Sequence, residues 1–412
     1  MGIGVLAGRL RRLVILSGVT GVEVRSVLEA SSKWFSIPAY KFEDYISDVF
    51  HSPVYEVIDL LLESRKAALG KFKIAYSKLI ESIEGLKSII ATHLTYYRRG
   101  HIIPNPIIPD LVSIADEAYI ILYIEDYYHA LSRIAERVRR GKTPGAFADQ
   151  PLDPLSYMYW RASDYSMAAL LESMGNVKVI VYGMKHSVEG HMRLLAYTLG
   201  ESYKGAGLFK VVYISHPITK VRARAEELSI SLWSFKDSSS IESFKSRLEN
   251  KCKNVIILSP TTIDELIVDK SGYLKKVIDK SSRWPHTEET LHEYNYPVDL
   301  ESSIFDETLY PLDKTIKSKG YMEILKTMIE NQIDSRDLAY VSQADALIVY
   351  RPTLYGERHI GVDVEIERGR TQAKPIYSII LDEDKVEPHP MRHVGTRLKD
   401  EDSLYTALKC ID

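Results

Sequence analysis

Cysteine is scarce in this sequence, which contains only Cys252 and Cys410 among its 412 residues. The two lie far apart along the chain and lack the close spacing of metal-binding cysteine pairs. We therefore expect neither a disulfide framework nor a zinc site. A chain with so few cysteines is most simply a cytoplasmic protein, and this is the compartment that the sequence predicts.

Long apolar runs and a large charge of one sign are also missing. The opening stretch MGIGVLAGRLRRLVIL is broken by Gly and Arg, unlike a signal peptide, and no later run has the length of a membrane span. The net charge is −3, so there is no basic excess to neutralise a phosphate backbone. We expect no general binding to nucleic acids or membranes. Glutamine occurs at only four positions, a composition that leans towards a thermophile.

Apolar residues make up 45% of the chain, which is enough for large cores and, at this length, for two or three domains. Apolar strand candidates alternate with helical stretches, as in FSIPAY (35–40), SIIATHLTYY (88–97), EAYIILYI (117–124) and VKVIVYGM (177–184). This alternation predicts an α/β protein with doubly wound parallel sheets. The polar, glycine-containing segment ESYKGAGLFK divides it into domains at 1–204 and 205–412.

The second domain is interrupted by an irregular, polar insertion at about 261–320. Long segments of this kind in a compact α/β domain are usually functional or disordered. We expect the insertion to cover the substrate or to contact another subunit, and the sequence does not decide between the two.

A glycine turn near the start of the chain has the layout of a phosphate-binding loop. The apolar run LVILS (13–17) is followed by Gly18 and then by a helical pattern. Glu23, Val24 and Arg25 stand where such a loop needs glycine, lysine and a hydroxyl residue. The order of elements over the first 200 residues resembles the adenylate-kinase-like branch of the P-loop kinases. The loop itself is degenerate, because a carboxylate repels phosphate.

Polar residues at the carboxyl ends of the first-domain strands indicate a second possible nucleotide site, since open α/β sheets bind ligands at that edge. The alternative is a set of loops whose polar groups satisfy one another. The residues that we assign to this site are Gly18, Gly21, Arg25, His93, Arg98, Lys185 and His186. His186 and His191 are five residues apart and do not share a helical face, so we predict no metal there.

The stretch 336–380 places two carboxylates beside predicted strands. Glu365 falls in the first turns of a helix that follows a strand, where backbone dipoles would favour an ionised carboxylate suited to nucleophilic attack. Asp337 is expected in the first turn of the preceding helix, where the alternative role is that of a helix cap.

The motifs RDLxxxxxAD, GVxxE and KPI, together with the earlier VVYISHPITKVR, resemble the nucleoside 2-deoxyribosyltransferase family, and especially its nucleoside 5′-monophosphate N-glycosidases. The resemblance covers roughly residues 208–385 apart from the insertion. It implies a flavodoxin-like domain in which Glu365 attacks C1′ of the sugar, Asp337 assists departure of the base and Tyr213 orients the nucleophile. It also implies that no metal or organic cofactor is needed, and that the pocket is completed in a homo-oligomer.

Departures from the family pattern affect the expected substrate more than the nucleophile. The family's phosphate loop has glycines where this chain has other residues, and Asp363 adds a negative charge near Glu365. The residues that the resemblance assigns to substrate or phosphate are Ser215, His216, Thr219, Arg222, Arg351, His359 and Gly361. The substrate is therefore expected to be a small nucleotide or nucleoside. An NAD-type substrate, or a non-catalytic role in nucleotide sensing or assembly, remains open.

Overall fold

The computed structural model describes residues 9–126, 130, 133–134, 154–228, 236–262, 319–386, 390 and 394–411. Almost all of the predicted insertion lies outside these residues. The chain divides into two compact units, the second of which starts at His186 and resumes at Ile333. The helix that precedes the predicted boundary at 204/205 is thus grouped with the second unit.

The first unit is built on one parallel sheet with the strand order β2-β3-β1-β6-β7. From Leu13 onward, β1 is completely buried, and Val14 lies between Ile89 of β3 and Tyr119 of β6. A continuous apolar run of this kind is typical of a central strand covered on both faces. The elements are β1 (Leu10–Ser17), α1 (Val24–Phe35), β2 (Ala39–Lys41), α2 (Phe42–Phe50), α3 (Val54–Glu63), α4 (Arg65–Ser82), β3 (Lys87–Ala91), the hairpin β4 (Thr95–Arg98) and β5 (His101–Pro104), α5 (Ile108–Ser113), β6 (Ala115–Ile124), α6 (Pro154–Glu172) and β7 (Val177–Gly183).

The second unit has its own parallel sheet, with the order β14-β13-β10-β8-β9. All residues of β10 are buried, and this strand pairs with β8 on one side and β13 on the other. The elements are α7 (Val188–Leu199), β8 (Lys210–Ser215), α8 (Ile218–Glu227), α9 (Lys236–Lys251), β9 (Val255–Leu258), α10 (Lys319–Gln343, which belongs to this unit from Ile333 onward), β10 (Ala346–Tyr350), the short pair β11 (Thr353–Leu354) and β12 (Glu357–Arg358), α11 (Ile360–Thr371), β13 (Ile376–Ile379), β14 (Thr396–Leu398) and α12 (Glu401–Leu408).

The protein is therefore α/β with two parallel five-stranded sheets, in agreement with the predicted class. In the part of the chain that the structure describes, no helix combines the length and apolarity needed to span a bilayer.

The expectation that the cysteines are unpaired is wrong, because Cys252 and Cys410 form a disulfide. They are 158 residues apart in sequence, but their Cα atoms are only 4.5 Å apart. Cys252 follows α9 and Cys410 follows α12, and the side chain of Asn254 hydrogen-bonds the backbone on both sides of Cys410. Asn254 donates to the carbonyl of Lys409 at 2.9 Å and accepts from the amide of Ile411 at 3.0 Å. Sequence distance alone gave no sign of this proximity.

Candidate active site

Two hydroxyl groups of β8 face the carboxylate of Glu365. Tyr213 and Ser215 are two positions apart, so their side chains share one face of the strand, and both are buried. The Tyr213 hydroxyl donates to Oε1 of Glu365 at 2.6 Å, and the Ser215 hydroxyl donates to Oε2. Glu365 lies in the second turn of α11 and is partly exposed. Each oxygen of this carboxylate thus receives a hydrogen bond from the same strand.

The helix α10 adds a charged pair and an aromatic ring. Arg336 is buried, and its Nε and Nη2 lie 2.9 Å and 2.8 Å from Oδ1 of Asp337. The Tyr340 ring is 6.2 Å from that of Tyr213, centroid to centroid. Because α10 begins at Lys319, Asp337 lies well inside the helix, so its predicted place in the first turn is wrong.

The pKa of Glu365 is raised to about 8, first by burial and then by the negative charge of Asp337. The hydroxyls of Ser215 and Tyr213 and the charge of Arg336 act in the opposite direction but do not prevail. Below a pH of about 8 this carboxyl group is therefore mostly protonated. The expectation that Glu365 is held ionised is wrong, because burial and the charge of Asp337 outweigh the groups that favour the ionised form. Burial also raises the pKa of Tyr213 well above its usual value, so its hydroxyl keeps its proton and remains a donor.

Arg336 and Tyr340 were not recognised as site residues from the sequence. Tyr340 is three positions from Asp337, a spacing that puts both side chains on one side of a helix, and this signal was available. His186 also belongs near this cluster, since its buried ring lies 6.4 Å from that of Tyr340. Its pKa is lowered well below the usual value by burial, and then by His191, Lys245 and Arg336. No sequence signal connects His186 to residues so far along the chain.

The predicted phosphate-binding residues differ in burial and in hydrogen bonding. Ser215 is engaged by Glu365, and His216 is buried next to it. His359 precedes α11, and its Nε2 is buried without a hydrogen-bond partner in the described residues. Gly361 is exposed, with open space where a side chain would be. The side chains of Thr219 and Arg222 lie outside the described part of the structure.

Arg351 does not take the predicted role of a phosphate ligand. Its guanidinium is buried, and its Nε and Nη2 donate to Asp384 at 2.7 Å and 3.0 Å. It also pairs with Asp237, and with Glu383 at 3.1 Å. The guanidinium of Arg351 is thus paired with three carboxylates. These ion pairs stabilise the turn that follows β10. These acids are distant in sequence, which is why the pattern gave no indication of the pairing.

Asp363 does not leave an uncompensated charge beside Glu365. Arg358, five residues earlier, pairs with Asp363 and has its Nε 2.9 Å from Oδ2. The negative charge noted in the sequence is thus compensated locally.

Two carbonyl oxygens of the glycine loop between β1 and α1 are contacted by side chains from elsewhere in the first unit. His93 Nδ1 lies 2.7 Å from the carbonyl oxygen of Gly18, and Arg133 donates to the carbonyl of Gly21 at 2.9 Å. Arg133 is itself paired with Glu125, with Nη2 2.8 Å from Oε1. A phosphate loop directs backbone N–H groups at its ligand, whereas here carbonyl oxygens face donors. The loop therefore lacks the polarity of an anion site.

Three cations of the second possible site are paired with acids. Arg25 pairs with Glu29 at 2.8 Å. Arg98 donates two hydrogen bonds to Asp59, from Nε to Oδ1 at 2.6 Å and from Nη2 to Oδ2 at 2.7 Å. Lys185 pairs with Asp126, and His186 belongs to the second unit. His93 contacts Gly18, as described above. The nucleotide site that the sequence predicts from these residues stays a prediction.

Metal ligands do not cluster in the described residues, where no three or more His, Cys, Asp or Glu side chains could hold one ion.

Two solved structures are similar to parts of this chain, with low sequence identity and low TM-scores. A chain from the PezAT chromosomal toxin-antitoxin system of Streptococcus pneumoniae is 16% identical, covering 44% of this chain and 70% of its own, with a TM-score of 0.26. Shikimate kinase from Bacteroides thetaiotaomicron is 13% identical, covering 42% of this chain and 85% of its own, with a TM-score of 0.24. TM-scores this low do not establish a shared fold. No family model and no curated protein matches the chain.

Proposed function

We propose that the second unit cleaves or transfers the N-glycosidic bond of a nucleotide or nucleoside through a covalent intermediate on Glu365. The observation that carries the proposal is the bonding of both Glu365 oxygens by Tyr213 and Ser215, with Asp337 close enough to influence the pKa of Glu365. Retaining glycosidases use a pair of carboxyl groups arranged in this way, one as the nucleophile and one close to it.

The placement of the cluster in the sheet supports the proposal. Numbered within the unit, the strand order is 2-1-3-4-5, which is the order of flavodoxin-like doubly wound domains. Tyr213 and Ser215 lie at the carboxyl end of β8, the first strand, and β8 neighbours both β9 and β10. Ligands of such sheets bind outside the carboxyl ends of the strands, where the strand order reverses.

In the proposed reaction, Glu365 loses its proton to solvent and an oxygen of the carboxylate forms a bond to C1′ of the sugar. The C1′–N bond breaks at the same time, and its electron pair leaves with the base. Tyr213 and Ser215 are positioning residues that fix the carboxylate, and the bound oxygen exchanges its hydrogen bond for the new C–O bond. Water, or a second base, then attacks C1′ from the other side and restores Glu365. We confine the proposal to the second unit, because the glycine loop of the first lacks the polarity of an anion site.

The first prediction is that the purified protein releases a free base from at least one of a panel of nucleosides, nucleoside monophosphates and NAD. Chromatography of the products measures the release. Glu365→Gln is expected to reduce it by at least about 10³-fold, since it removes the nucleophile. The matched control is Glu367→Gln on the same helix, an exposed residue that should leave the rate unchanged.

Release that persists in Glu365→Gln would contradict the assignment of the nucleophile. Absence of release from every substrate would reject the enzyme proposal in favour of nucleotide sensing or assembly. A 2-fluoro-2-deoxyribosyl substrate that slows hydrolysis should leave its sugar on the peptide that contains Glu365, detected by mass spectrometry. A sugar found on Asp337 instead would exchange the roles of the two carboxylates.

A further inference from the structure

We propose that the base released at this site is already cationic in the substrate, as in an N-ribosylated pyridinium, rather than a neutral purine or pyrimidine. This inference rests on the proposed function and names its substrate class. It begins with Arg336, whose guanidinium holds the carboxylate that would otherwise protonate a leaving base.

A neutral base that leaves C1′ takes the bonding electron pair onto a ring nitrogen and requires a proton from a general acid. The candidate is Asp337. Both Nε and Nη2 of Arg336 lie within 2.9 Å of its Oδ1, and only 4% of the Arg336 side chain is exposed. A guanidinium stays protonated and favours the ionised form of the acid that it contacts. Asp337 thus has no proton to give.

The neighbouring groups do not replace that acid. The Tyr213 hydroxyl already donates to Glu365, and burial raises its pKa well above the usual value. His186 and His359 have pKa values lowered by burial, so their rings are neutral near neutral pH. Glu365 forms the bond to C1′ as a carboxylate, so in the same step it has no proton to give to the base.

A cationic base would leave without a general acid and would reduce the repulsion between the two carboxylates. It needs no proton, because the departing electron pair neutralises its own positive charge. It also opposes the repulsion between Glu365 and Asp337, since a positive ring beside two carboxylates favours the ionised form of both. Burial and Asp337 keep Glu365 protonated in the free protein, and arrival of the cation would release that proton to solvent. The substrate's own charge therefore prepares the nucleophile.

The chemistry balances without any further reactant besides water. An oxygen of Glu365 forms a bond to C1′ as the C1′–N bond breaks, and the ring leaves as a neutral pyridine. Water then forms the new C1′–O bond, Glu365 leaves as a carboxylate, and one proton passes to solvent. The products are a free sugar or sugar phosphate, the neutral base and a proton.

The test uses pairs of substrates that differ in charge on the base. Nicotinamide mononucleotide is compared with uridine monophosphate, and 7-methylguanosine monophosphate with guanosine monophosphate, at pH 6.5. We expect kcat/KM to be at least about 100-fold higher for the cationic member of each pair, and release to depend on Glu365. The guanosine pair separates charge from ring type, because its members differ only by the N7 methyl group.

Equal or faster release of the neutral bases, still dependent on Glu365, would overturn this inference and leave the proposed function standing. Absence of release from all four substrates and from the wider panel would overturn both. Failure of this inference alone and failure of the proposed function therefore give different results.

Asp337→Asn provides a second readout. If Asp337 balances the charge of the base, the variant should raise KM for the cationic substrate several-fold while kcat changes little. The rise of kcat/KM with pH should also begin at lower pH, because a charge that raises the pKa of Glu365 has been removed. A general acid would instead show a fall in kcat confined to neutral bases, and this would overturn the inference. Asp334→Asn, at an exposed position of the same helix, is the matched control.

Discussion

At the scale of single residues, the dominant feature is a carboxyl group whose pKa is set by burial rather than by its place in a helix. Tyr213 and Ser215 bond Glu365, yet its pKa is still raised to about 8. The folded protein therefore holds a proton that the unfolded chain loses near pH 4.5. The stabilisation associated with this proton is complete below about pH 4.5 and is lost as the pH rises through 8.

We predict that Glu365→Gln stabilises the second unit at pH 9 and has little effect at pH 4.5. Glutamine cannot ionise, so the variant avoids a buried charge. Each pKa unit corresponds to about 1.4 kcal/mol, and partial exposure of the side chain reduces the total to roughly 2 kcal/mol. Native-state hydrogen exchange of the β8 peptide measures the gain, since two compact units can unfold separately. The same gain at both pH values, or any gain in Glu367→Gln, would contradict this explanation.

The residues show how far the sequence alone could go. The resemblance at VVYISHPITKVR and GVxxE implied the contact between Tyr213 and Glu365, and the structure brings the two together. It gave no indication of the Arg336–Asp337 pair in this role, nor of the acids around Arg351. Such charge pairings join positions that are either adjacent or far apart in sequence, and neither arrangement leaves a periodic pattern.

At the scale of elements, two strands of the first sheet were predicted well from their continuous apolar runs. The predicted strand at 117–124 corresponds to β6, and that at 177–184 to β7. The apolar stretch 88–97 is instead divided into β3 and β4. After Ala91 the chain turns back onto the end of β1, where the amide of Leu94 bonds the Ser17 hydroxyl at 3.0 Å. Apolar character alone does not reveal a turn fixed by such a side-chain bond.

The β1–α1 loop owes its glycine to packing rather than to a ligand. Gly21 has φ of +96°, and a Cβ there would lie 2.6 Å from the carbonyl oxygen of Ala130. We predict that Gly21→Ala destabilises the first unit by about 2–4 kcal/mol, through backbone strain and this clash. Gly70→Ala is the control, because Gly70 lies inside α4 with open space around it, and alanine should stabilise that helix by up to about 1 kcal/mol. Urea denaturation of both variants distinguishes the effects, and equal stabilities would refute the packing argument.

At the scale of the whole molecule, the disulfide joins positions separated by most of the second unit. It bears on the predicted compartment, because disulfides are rare in cytosolic proteins outside hyperthermophiles. The cytoplasmic location, the thermophilic source and the homo-oligomer all stay predictions. The parallel sheets followed from the alternation of strands and helices, whereas the pairing of the cysteines depended on tertiary contacts that the sequence does not display.

We predict that Cys252→Ser combined with Cys410→Ser lowers the stability of the second unit by about 2–5 kcal/mol, since the crosslink closes a long loop of the unfolded chain. Hydrogen exchange of β9 and α12 peptides measures the loss. Reduction of the unaltered protein should reproduce it, and reductant should not affect the double variant further. An unchanged exchange rate in α12 would show that the asparagine contacts alone hold the C-terminal segment.

Tyr213 and Ser215 lie on the same strand, so both of their hydrogen bonds to Glu365 depend on the register of β8. In the sheet, Val212 is paired with Ala346 of β10 and with Ile257 of β9, which fixes the register of β8 from both sides. Deleting a single residue early in β8 would leave a strand of ordinary composition but turn both hydroxyls to the opposite face. Both hydrogen bonds to Glu365 would then be lost together, so a one-residue shift of register could not retain half of the site.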